Sequence, residues 1–382
     1  MDIRKLAREV QPEVIAFRRD LHQHPEASLQ EFRTTDRIAE ELDKMGVTYR
    51  RLDPTGIIAE IEGKGPGKRV ALRGDIDALS ITEKTELPFA SVNDGFMHAC
   101  GHDTHTAMLL GAVKVLNGLR DSFNGTVRFI FQPAEEIGKG AKLAIKQGAL
   151  ENVDSIFGIH IVAQMPVGII GGNEGPLTAA TDQFKIVVKG KACHGAMPET
   201  GVDAVVAGSA LVMNLQTMVS REFAPGDPLV VTVGSFHSGT RFNIVAGEAV
   251  LEGTIRSFSR ETHAKLPGVV ERIAKETAAT FRAEAEVEYD SITDVLINDH
   301  DMTELGFAAA RKITDEAHII RLNKQMGGED FAEYTAYAPA SFYMLGGGGN
   351  APQHSDHFVI EEEAFETGVA LYTQIALDAL AK

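Results

Sequence analysis

Apolar residues recur at helical spacing through the first part of the chain. Val14, Phe17 and Leu21 follow one another at three- and four-residue steps, which places them on one face of an α-helix. Residues 2–46 are therefore predicted to be mainly helical. Pro25 should end or interrupt this helix, because proline has no backbone N–H to donate within a helix interior.

Short apolar runs with polar or glycine-rich boundaries predict the strands of a sheet. The first two, residues 57–61 and 69–72, flank a Gly/Pro turn and suggest a hairpin. Later runs alternate with helical segments such as residues 104–119, which favours an α/β sheet covered on both faces. These later runs are residues 126–131, 155–159 and 341–345.

The pattern changes between about residues 181 and 290. Its elements follow the order βαββαβ, which is the ferredoxin-like arrangement of a small separate domain. The predicted strands are residues 182–189, 229–236, 249–258 and 284–289, and the predicted helices are residues 202–220 and 262–282. We therefore expect an α/β domain with a central mixed sheet over residues 1–179 and 292–382, and an inserted α+β domain over residues 180–291.

Charge and cysteine content narrow the possible functions. The 382 residues include 37 Lys and Arg against 54 Asp and Glu, a formal net charge of −17 that disfavours nucleic acid and anionic membranes as partners. No apolar run reaches the roughly 18 residues of a membrane-spanning helix, and the first residues contain no apolar signal-peptide core. Two cysteines cannot build a disulfide framework, so we expect a cytoplasmic protein.

Side chains that can bind a metal follow four of the predicted strands. Ligands of open α/β sheets bind outside the carboxyl ends of the strands, so these side chains should converge although they are distant in sequence. Carboxylates and imidazoles in one pocket are most simply explained by a divalent-metal site. The side chains are Asp75, Asp77, Glu135, Glu136, His160 and His354.

Residues 98–105, His-Ala-Cys-Gly-His-Asp-Thr-His, form the sharpest local motif. Cys100 and His102 are separated by Gly101, which lets the backbone turn so that both side chains point at one ion. A buried cysteine beside core histidines is the alternative, because the apolar helix that follows needs no metal. A thiol nucleophile is less favoured, since His102 is too close along the chain to act as its base.

Glu135 and Glu136 are adjacent carboxylates that follow Pro133 at a strand end. On an irregular turn they point in different directions, so one can bind a metal while the other carries a proton. Metal-assisted hydrolysis uses this pairing, because the ion lowers the pKa of its water to about 7. Simpler alternatives exist for the single residues. The pair could be a solvated acidic turn, His160 a core histidine, and the glycine run before His354 a flexible loop rather than a close approach to a ligand.

Six short motifs occur in order along nearly the whole chain. They are RRDLHQHPE at residues 18–26, RGDIDAL at 73–79, HACGHDTH at 98–105, FQPAEE at 131–136, GIH at 158–160 and MGGEDF at 326–331. Together they resemble the metal-dependent amidohydrolases that include hippurate hydrolase, auxin–amino-acid conjugate hydrolases and N-acetyl-amino-acid deacetylases. The wider group contains aminoacylase and related peptidases.

The resemblance implies a metallopeptidase-like catalytic α/β domain and a ferredoxin-like lid that also forms a homodimer. It implies one or two Mn²⁺ or Zn²⁺ ions per subunit. The implied ligands are Cys100, His102, Glu136, His160 and His354. Glu135 corresponds to the general base and Asp77 to a carboxylate that orients a ligand, while Asp75 stands where a ligand histidine is usual.

The remaining implied residues concern the substrate. His194 of the lid corresponds to a histidine that polarises the scissile carbonyl, although a surface histidine is the simpler explanation of this residue alone. Asn243 and Arg256 resemble lid residues that hold the substrate carboxylate, and we assign Gly348 of the glycine run to substrate binding as well.

The expected function is metal-dependent hydrolysis of the amide bond of N-acyl L-amino acids. A metallo-dipeptidase or aminopeptidase of the same wider group is one alternative, and it would need an acidic contact for a free α-amine. A binding protein that keeps the fold without the chemistry is the other. The complete set of ligands and base argues against that second alternative.

Overall fold

The computed structural model describes residues 2–382, whose backbone forms strands and helices in two units. The first unit contains the chain up to Leu177, Ile297–Asn323 and Asp330–Lys382, and the second contains Thr178–Leu296 and Lys324–Glu329. Up to the first boundary the elements are α1 (Ile3–Gln23), α2 (Phe32–Met45), β1 (Thr48–Arg51), β2 (Ile57–Glu62), β3 (Arg69–Asp75), α3 (His102–Gly118), β4 (Thr126–Gln132), α4 (Gly140–Lys146), β5 (Ser155–Val162), β6 (Ile170–Gly172) and β7 (Gly175–Thr178).

The remaining elements follow in chain order. Between the boundaries lie β8 (Ala180–Lys189), β9 (Cys193–His194), α5 (Ala204–Leu215), β10 (Leu229–Ser238), β11 (Ile244–Val245), β12 (Glu248–Ser257), α6 (Arg260–Thr280) and β13 (Glu284–Thr293). The last part of the chain forms β14 (Leu296–Asn298), α7 (His300–Ile313), β15 (Ile319–Arg321), β16 (Ala340–Gly346) and α8 (Ala364–Ala381). Each helix of the described chain is too short or too polar to cross a membrane.

A mixed eight-stranded sheet forms the centre of the first unit, as the sequence predicted. Its strands lie in the order β1-β2-β4-β3-β5-β16-β6-β15. β3 is parallel to both β4 and β5, and β5 is parallel to β16. The carboxyl ends of these four strands therefore lie along one edge of the sheet, where the predicted metal ligands should meet.

The predicted hairpin of residues 57–61 and 69–72 is wrong. β4 lies between β2 and β3 and pairs with both of them. The glycine-rich turn instead wraps around the start of β4, where Gly63 N donates to Gly125 O and Gly125 N donates to Gly65 O, each at 2.8 Å. Adjacency along the chain therefore misled the prediction, because a strand from later in the chain fills the gap.

The second unit contains a four-stranded antiparallel sheet with two helices. The strands lie in the order β10-β12-β8-β13, and the sheet and helices follow the order βαββαβ along the chain. Alternate residues of β8 are buried, and Phe184, Ile186 and Val188 pack with Leu211 of α5 and Leu266 of α6. The two-residue period of the strand thus supplies one apolar face for the helices.

Lys324–Glu329 belongs to the second unit. The sequence analysis limited the inserted domain to residues 180–291 and therefore did not include this segment. The backbone N–H of Ala179 lies 3.1 Å from both Gln325 O and Gly327 O. Backbone hydrogen bonds hold this segment, and such bonds do not depend on an apolar pattern of side chains. Sequence patterns therefore could not reveal that the segment belongs to the second unit.

His263 gives the second unit a testable pH dependence. Its Nε2 lies 2.8 Å from Asp182 Oδ1, and its Nδ1 lies 3.3 Å from Asp294 Oδ1. Burial disfavours the charged ring, but hydrogen bonds to the two carboxylates outweigh burial and raise the pKa of His263 to about 9. Because the pKa of an unfolded histidine is about 6.5, this stabilisation is complete below that pH and is lost as the pH rises through 9.

We therefore expect urea midpoints of the wild-type protein to fall between about pH 6.5 and pH 9. The variant His263→Gln should show a flatter dependence over this range, because it has no titrating ring. Parallel curves for the two proteins would contradict the role given to His263.

Candidate metal centre

Five sequence-predicted ligands come together in the first unit. Three overlapping sets of side chains each have ligand atoms within 4.8 Å of one another. The sets are Cys100, His102 and His160; Cys100, Glu136 and His354; and His102, Glu135 and Glu136. Glu135, the predicted general base, thus lies at the same cluster.

The backbone around Gly101 directs two of these side chains. Gly101 has a φ of 98° and immediately precedes α3. A Cβ on this residue would collide with Cγ2 of Ile161, so only glycine fits there. His102 is consequently the first residue of α3, and Thr106 one turn later donates its hydroxyl to Asp75 O at 2.8 Å.

Asp77 fixes the orientation of the His102 ring. His102 Nδ1 lies 3.1 Å from Asp77 Oδ1 and 3.0 Å from Asp77 O. Nδ1 therefore donates to Asp77, and Nε2 faces Glu136 Oε1 at 3.7 Å and Glu135 Oε2 at 3.8 Å. The contact is compatible with the ligand-orienting role that the resemblance implies for Asp77, which stays a prediction.

The sequence analysis placed His160 just beyond the end of a strand. In the structure it lies within β5, because this strand continues to Val162. Its Nδ1 donates to Ile161 O at 2.6 Å, and its Nε2 lies 3.4 Å from Cys100 Sγ. Burial lowers the pKa of His160 well below its ordinary value. The ring is therefore neutral, which is the form that binds metals.

The acidic groups of the cluster are held away from water. Burial, with Asp77 and Asp75 nearby, raises the pKa of Glu136 to about 7. Burial and the neighbouring Glu136 also raise the pKa of Cys100 well above its ordinary value. Several acids are thus crowded where their charged forms are disfavoured, and a cation would relieve this repulsion.

The residues present fit a divalent transition metal. His102 Nε2 and Glu136 Oε1 are buried and have no hydrogen-bond partner among the described residues. Buried polar atoms normally have partners, so these two indicate a missing one. A thiol, imidazoles and a carboxylate form a donor set suited to transition metals.

Asp75 and His105 form a further candidate set with His102, but their ligand atoms are already engaged. Asp75 Oδ2 pairs with Arg73 Nη1 and Asp75 Oδ1 with His105 Nδ1, both at 2.6 Å. His105 Nε2 accepts the backbone N–H of Ile161 at 2.7 Å. The carboxylate that replaces the expected ligand histidine therefore belongs to a supporting network.

His354 is the most exposed of the five ligands. Its side chain is 56% exposed, and its Nε2 lies 3.7 Å from Glu136 Oε2. The residue has a φ of 65°, and its backbone N–H donates to Ala99 O at 2.7 Å. His357, which could be confused with it in the sequence, is exposed and contacts Asp356.

Gly348 makes its close approach to the protein itself. It has a φ of 73°, its N–H donates to Met165 O at 2.9 Å, and a Cβ would lie 2.5 Å from Val167 Cγ2 and 2.9 Å from Glu361 Cγ. The glycine run was expected to approach a ligand. This packing accounts for the glycine, and the assignment of Gly348 to substrate binding stays a prediction.

Three predicted substrate residues lie in the second unit. His194 is exposed on β9 and pairs with Ile244 of β11, and the N–H of Gly195 donates to Asn243 O at 2.9 Å. His194 and Asn243 are therefore neighbours. Arg256 is half-buried, donates to Thr254 Oγ1 at 2.6 Å, and forms no ion pair with a carboxylate between residues 2 and 382.

The sequence analysis missed residues that hold the ligands in place. Ser28 donates its hydroxyl to Asp77 Oδ2 at 2.6 Å, and Glu136 N donates to the same oxygen at 3.1 Å. Arg73 and Asp330 form a buried ion pair of 2.7 Å. The last two lie in the quoted motifs and could have been singled out, whereas nothing in the sequence marks Ser28.

Comparisons with known proteins agree with this geometry. The sequence model of peptidase family M20/M25/M40 matches residues 71–378. An N-acetylcysteine deacetylase of Bacillus subtilis (strain 168) is 39% identical over 96% of this chain and 97% of its own. Thermostable carboxypeptidase 1 of Saccharolobus solfataricus is 34% identical over 97% of this chain and 96% of its own.

A solved structure of the same family also has a similar fold. A Bacillus subtilis protein described as a dinuclear metal binding peptidase of the M20 family superposes with a TM-score of 0.87 and 37% identity, covering 98% of this chain and 99% of that one. The resemblance drawn from the six motifs is confirmed. The chain belongs to peptidase family M20/M25/M40 and is a metal-dependent hydrolase.

Proposed function

We propose that the protein hydrolyses the amide bond of N-acyl L-amino acids, such as N-acetyl or N-benzoyl derivatives, and releases a carboxylic acid and a free amino acid. The observation that carries this proposal is Glu135, whose Oε2 lies 3.8 Å from His102 Nε2 at the edge of the ligand cluster. Similarity to an N-acetylcysteine deacetylase supports the acyl class.

We propose Cys100, His102, Glu136, His160 and His354 as ligands of one or two Zn²⁺ or Mn²⁺ ions. When bound, a divalent ion polarises a carbonyl oxygen and lowers the pKa of water. The contacts of Asp77 and Ile161 O with the Nδ1 atoms leave Nε2 of both His102 and His160 directed at the cluster. This orientation reduces the reorganisation that metal binding requires.

Glu135 is the proposed proton carrier. Glu135 follows the left-handed residue Ala134. Its Oε2 lies 3.8 Å from His102 Nε2, while Glu136 Oε1 lies 3.7 Å from the same nitrogen. Glu136 can therefore bind a metal while the Glu135 carboxylate takes a proton from the attacking water. The same carboxyl then delivers the proton to the nitrogen of the leaving amine.

The second unit is proposed as a ferredoxin-like lid that contacts the substrate and forms a homodimer. We assign His194 to the scissile carbonyl oxygen, and Asn243 and Arg256 to the substrate carboxylate. The edge position of β10 and the exposed Val206 and Met213 of α5 support a dimer contact on this unit.

Replacing Arg256 tests the assignment of the carboxylate. A hydrogen bond to a charged group is worth about 1.5–3 kcal/mol, so Arg256→Met should lower kcat/KM for N-acetyl amino acids about 10–100-fold. The loss should appear mainly in KM and should be small for substrates whose carboxylate is converted to an amide. Arg272→Met is a suitable control, because Arg272 is an exposed arginine of the same unit that pairs with Glu222.

Equal losses on the acid and amide substrates would contradict a carboxylate contact.

Peptide hydrolysis is the second candidate, since the chain is similar to a carboxypeptidase over 97% of its length. Release of alanine from N-acetylalanine and from Ala-Ala, measured on the same metal-loaded sample, separates the two. We expect the blocked substrate to react faster. Faster cleavage of Ala-Ala would move the assignment to a dipeptidase.

A further inference from the structure

Glu31 is a fully buried carboxylate outside the set of ligands. It precedes α2 at the N-cap position, but its side chain forms no cap hydrogen bond to that helix. Its Oε1 instead accepts the backbone N–H groups of Leu29 and Ala134, both at 2.9 Å. Its Oε2 accepts the hydroxyl of Thr55 at 2.5 Å.

The two backbone groups held by Glu31 belong to left-handed residues. Leu29 has a φ of 64° and Ala134 has a φ of 55°. Residues other than glycine adopt this conformation only where the surrounding structure enforces it. A single buried carboxylate oxygen thus supports two unfavourable turns.

Both turns lead directly to the metal centre. The Ala134 turn is followed by Glu135 and Glu136. The Leu29 turn is preceded by Ser28, whose hydroxyl contacts Asp77 Oδ2 at 2.6 Å. Asp77 in turn holds His102 through Oδ1, so Glu31 lies behind the supports of two ligands and the base.

We propose that Glu31 is a positioning residue that fixes the Glu135–Glu136 turn and the Ser28–Asp77–His102 contacts through its two backbone hydrogen bonds. The proposal rests on the metal site proposed above. Mutating residues that hold metal ligands in place through hydrogen bonds commonly lowers metal affinity about 10–100-fold. Metal affinity is therefore the quantity to measure.

The role requires a hydrogen-bond acceptor rather than a charge. Burial raises the pKa of Glu31 to about 7, so the carboxyl is partly neutral near physiological pH. In Glu31→Gln, the amide oxygen can accept both backbone N–H groups while the amide nitrogen donates to Thr55 Oγ1. Glu31→Ala removes the acceptor and leaves both N–H groups buried without a partner.

The experiment titrates Zn²⁺ alone into the full-length, metal-free protein and its variants against a chromophoric chelator. We expect Glu31→Ala to weaken Zn²⁺ binding about 10–100-fold. Glu31→Gln should remain within about threefold of wild type, because it keeps the acceptor. Thr55→Val is the matched control, since it removes only the contact at Oε2 and should reduce thermal stability without a comparable loss of affinity.

Wild-type Zn²⁺ affinity in Glu31→Ala would overturn the proposal, and so would an equal loss of affinity in Thr55→Val. If Glu31→Ala does not fold, Glu31→Asp takes its place, because its shorter carboxylate cannot reach both turns. Unchanged affinity in that variant would also overturn the proposal. Failure of the wild-type protein to bind Zn²⁺ would instead refute the proposed metal site.

Discussion

Replacing Glu135 with glutamine is expected to leave metal binding intact and to slow hydrolysis about 10²–10⁴-fold. Glutamine keeps the shape of the side chain but cannot take a proton from water. Glu135 is not among the five proposed ligands, although its Oε2 lies only 3.8 Å from His102 Nε2. The metal content and the rate of amino-acid release should therefore respond differently to this change.

Glu136→Gln is the matched comparison for Glu135→Gln. The two residues are adjacent, yet only Glu136 belongs to the set with Cys100 and His354. The Glu136 variant should lose metal, whereas the Glu135 variant should keep metal and lose turnover. Near wild-type turnover in a metal-loaded Glu135→Gln protein would contradict the assignment of Glu135 as proton carrier.

Cys100→Ser should weaken metal binding by more than about 100-fold, which exceeds the effect expected of a residue that only supports a ligand. A hydroxyl is a much poorer ligand than a thiolate for transition metals. Cys100 also belongs to two of the three ligand sets, so its loss affects both. Competition with a chromophoric chelator measures the change.

Cys193→Ser provides the control for the Cys100 variant. Cys193 is the other free cysteine and belongs to the second unit, where its Sγ lies 3.4 Å from Met197 O. This variant should bind metal as the wild type does. Normal metal affinity in Cys100→Ser would exclude Cys100 as a ligand.

The strands and the turn that carry the proposed ligands were predictable, because apolar runs and glycine turns are recognisable from neighbouring residues in the sequence. Apolar runs located β3, β4 and β5, and the parallel arrangement of these strands explains why distant side chains meet. Gly101 was predicted to serve a turn between Cys100 and His102, and its φ of 98° agrees. These features depend on strand ends and on a single glycine.

Features that depend on distant partners were not predictable in the same way. The pairing of β2 with β4 rather than β3 depends on a strand more than 60 residues away. Glu31 looks like an ordinary acidic residue before a helix, and its role emerges only from its contacts with Leu29 and Ala134. Apolar periodicity identifies helices and strands. The hydrogen bonds that hold site residues in place join distant parts of the chain, so they are visible only in the assembled fold.

The most direct test of the central claim restores metal stepwise to the metal-free protein while following amino-acid release from an N-acetyl amino acid. Bound metal is measured on the same samples. We predict that release is absent without metal and rises with occupancy to a plateau at one or two ions per subunit. Undiminished release by the metal-free protein, or no release at full occupancy across N-acetyl, N-benzoyl and indoleacetyl amino acids, would contradict metal-dependent hydrolysis of N-acyl amino acids.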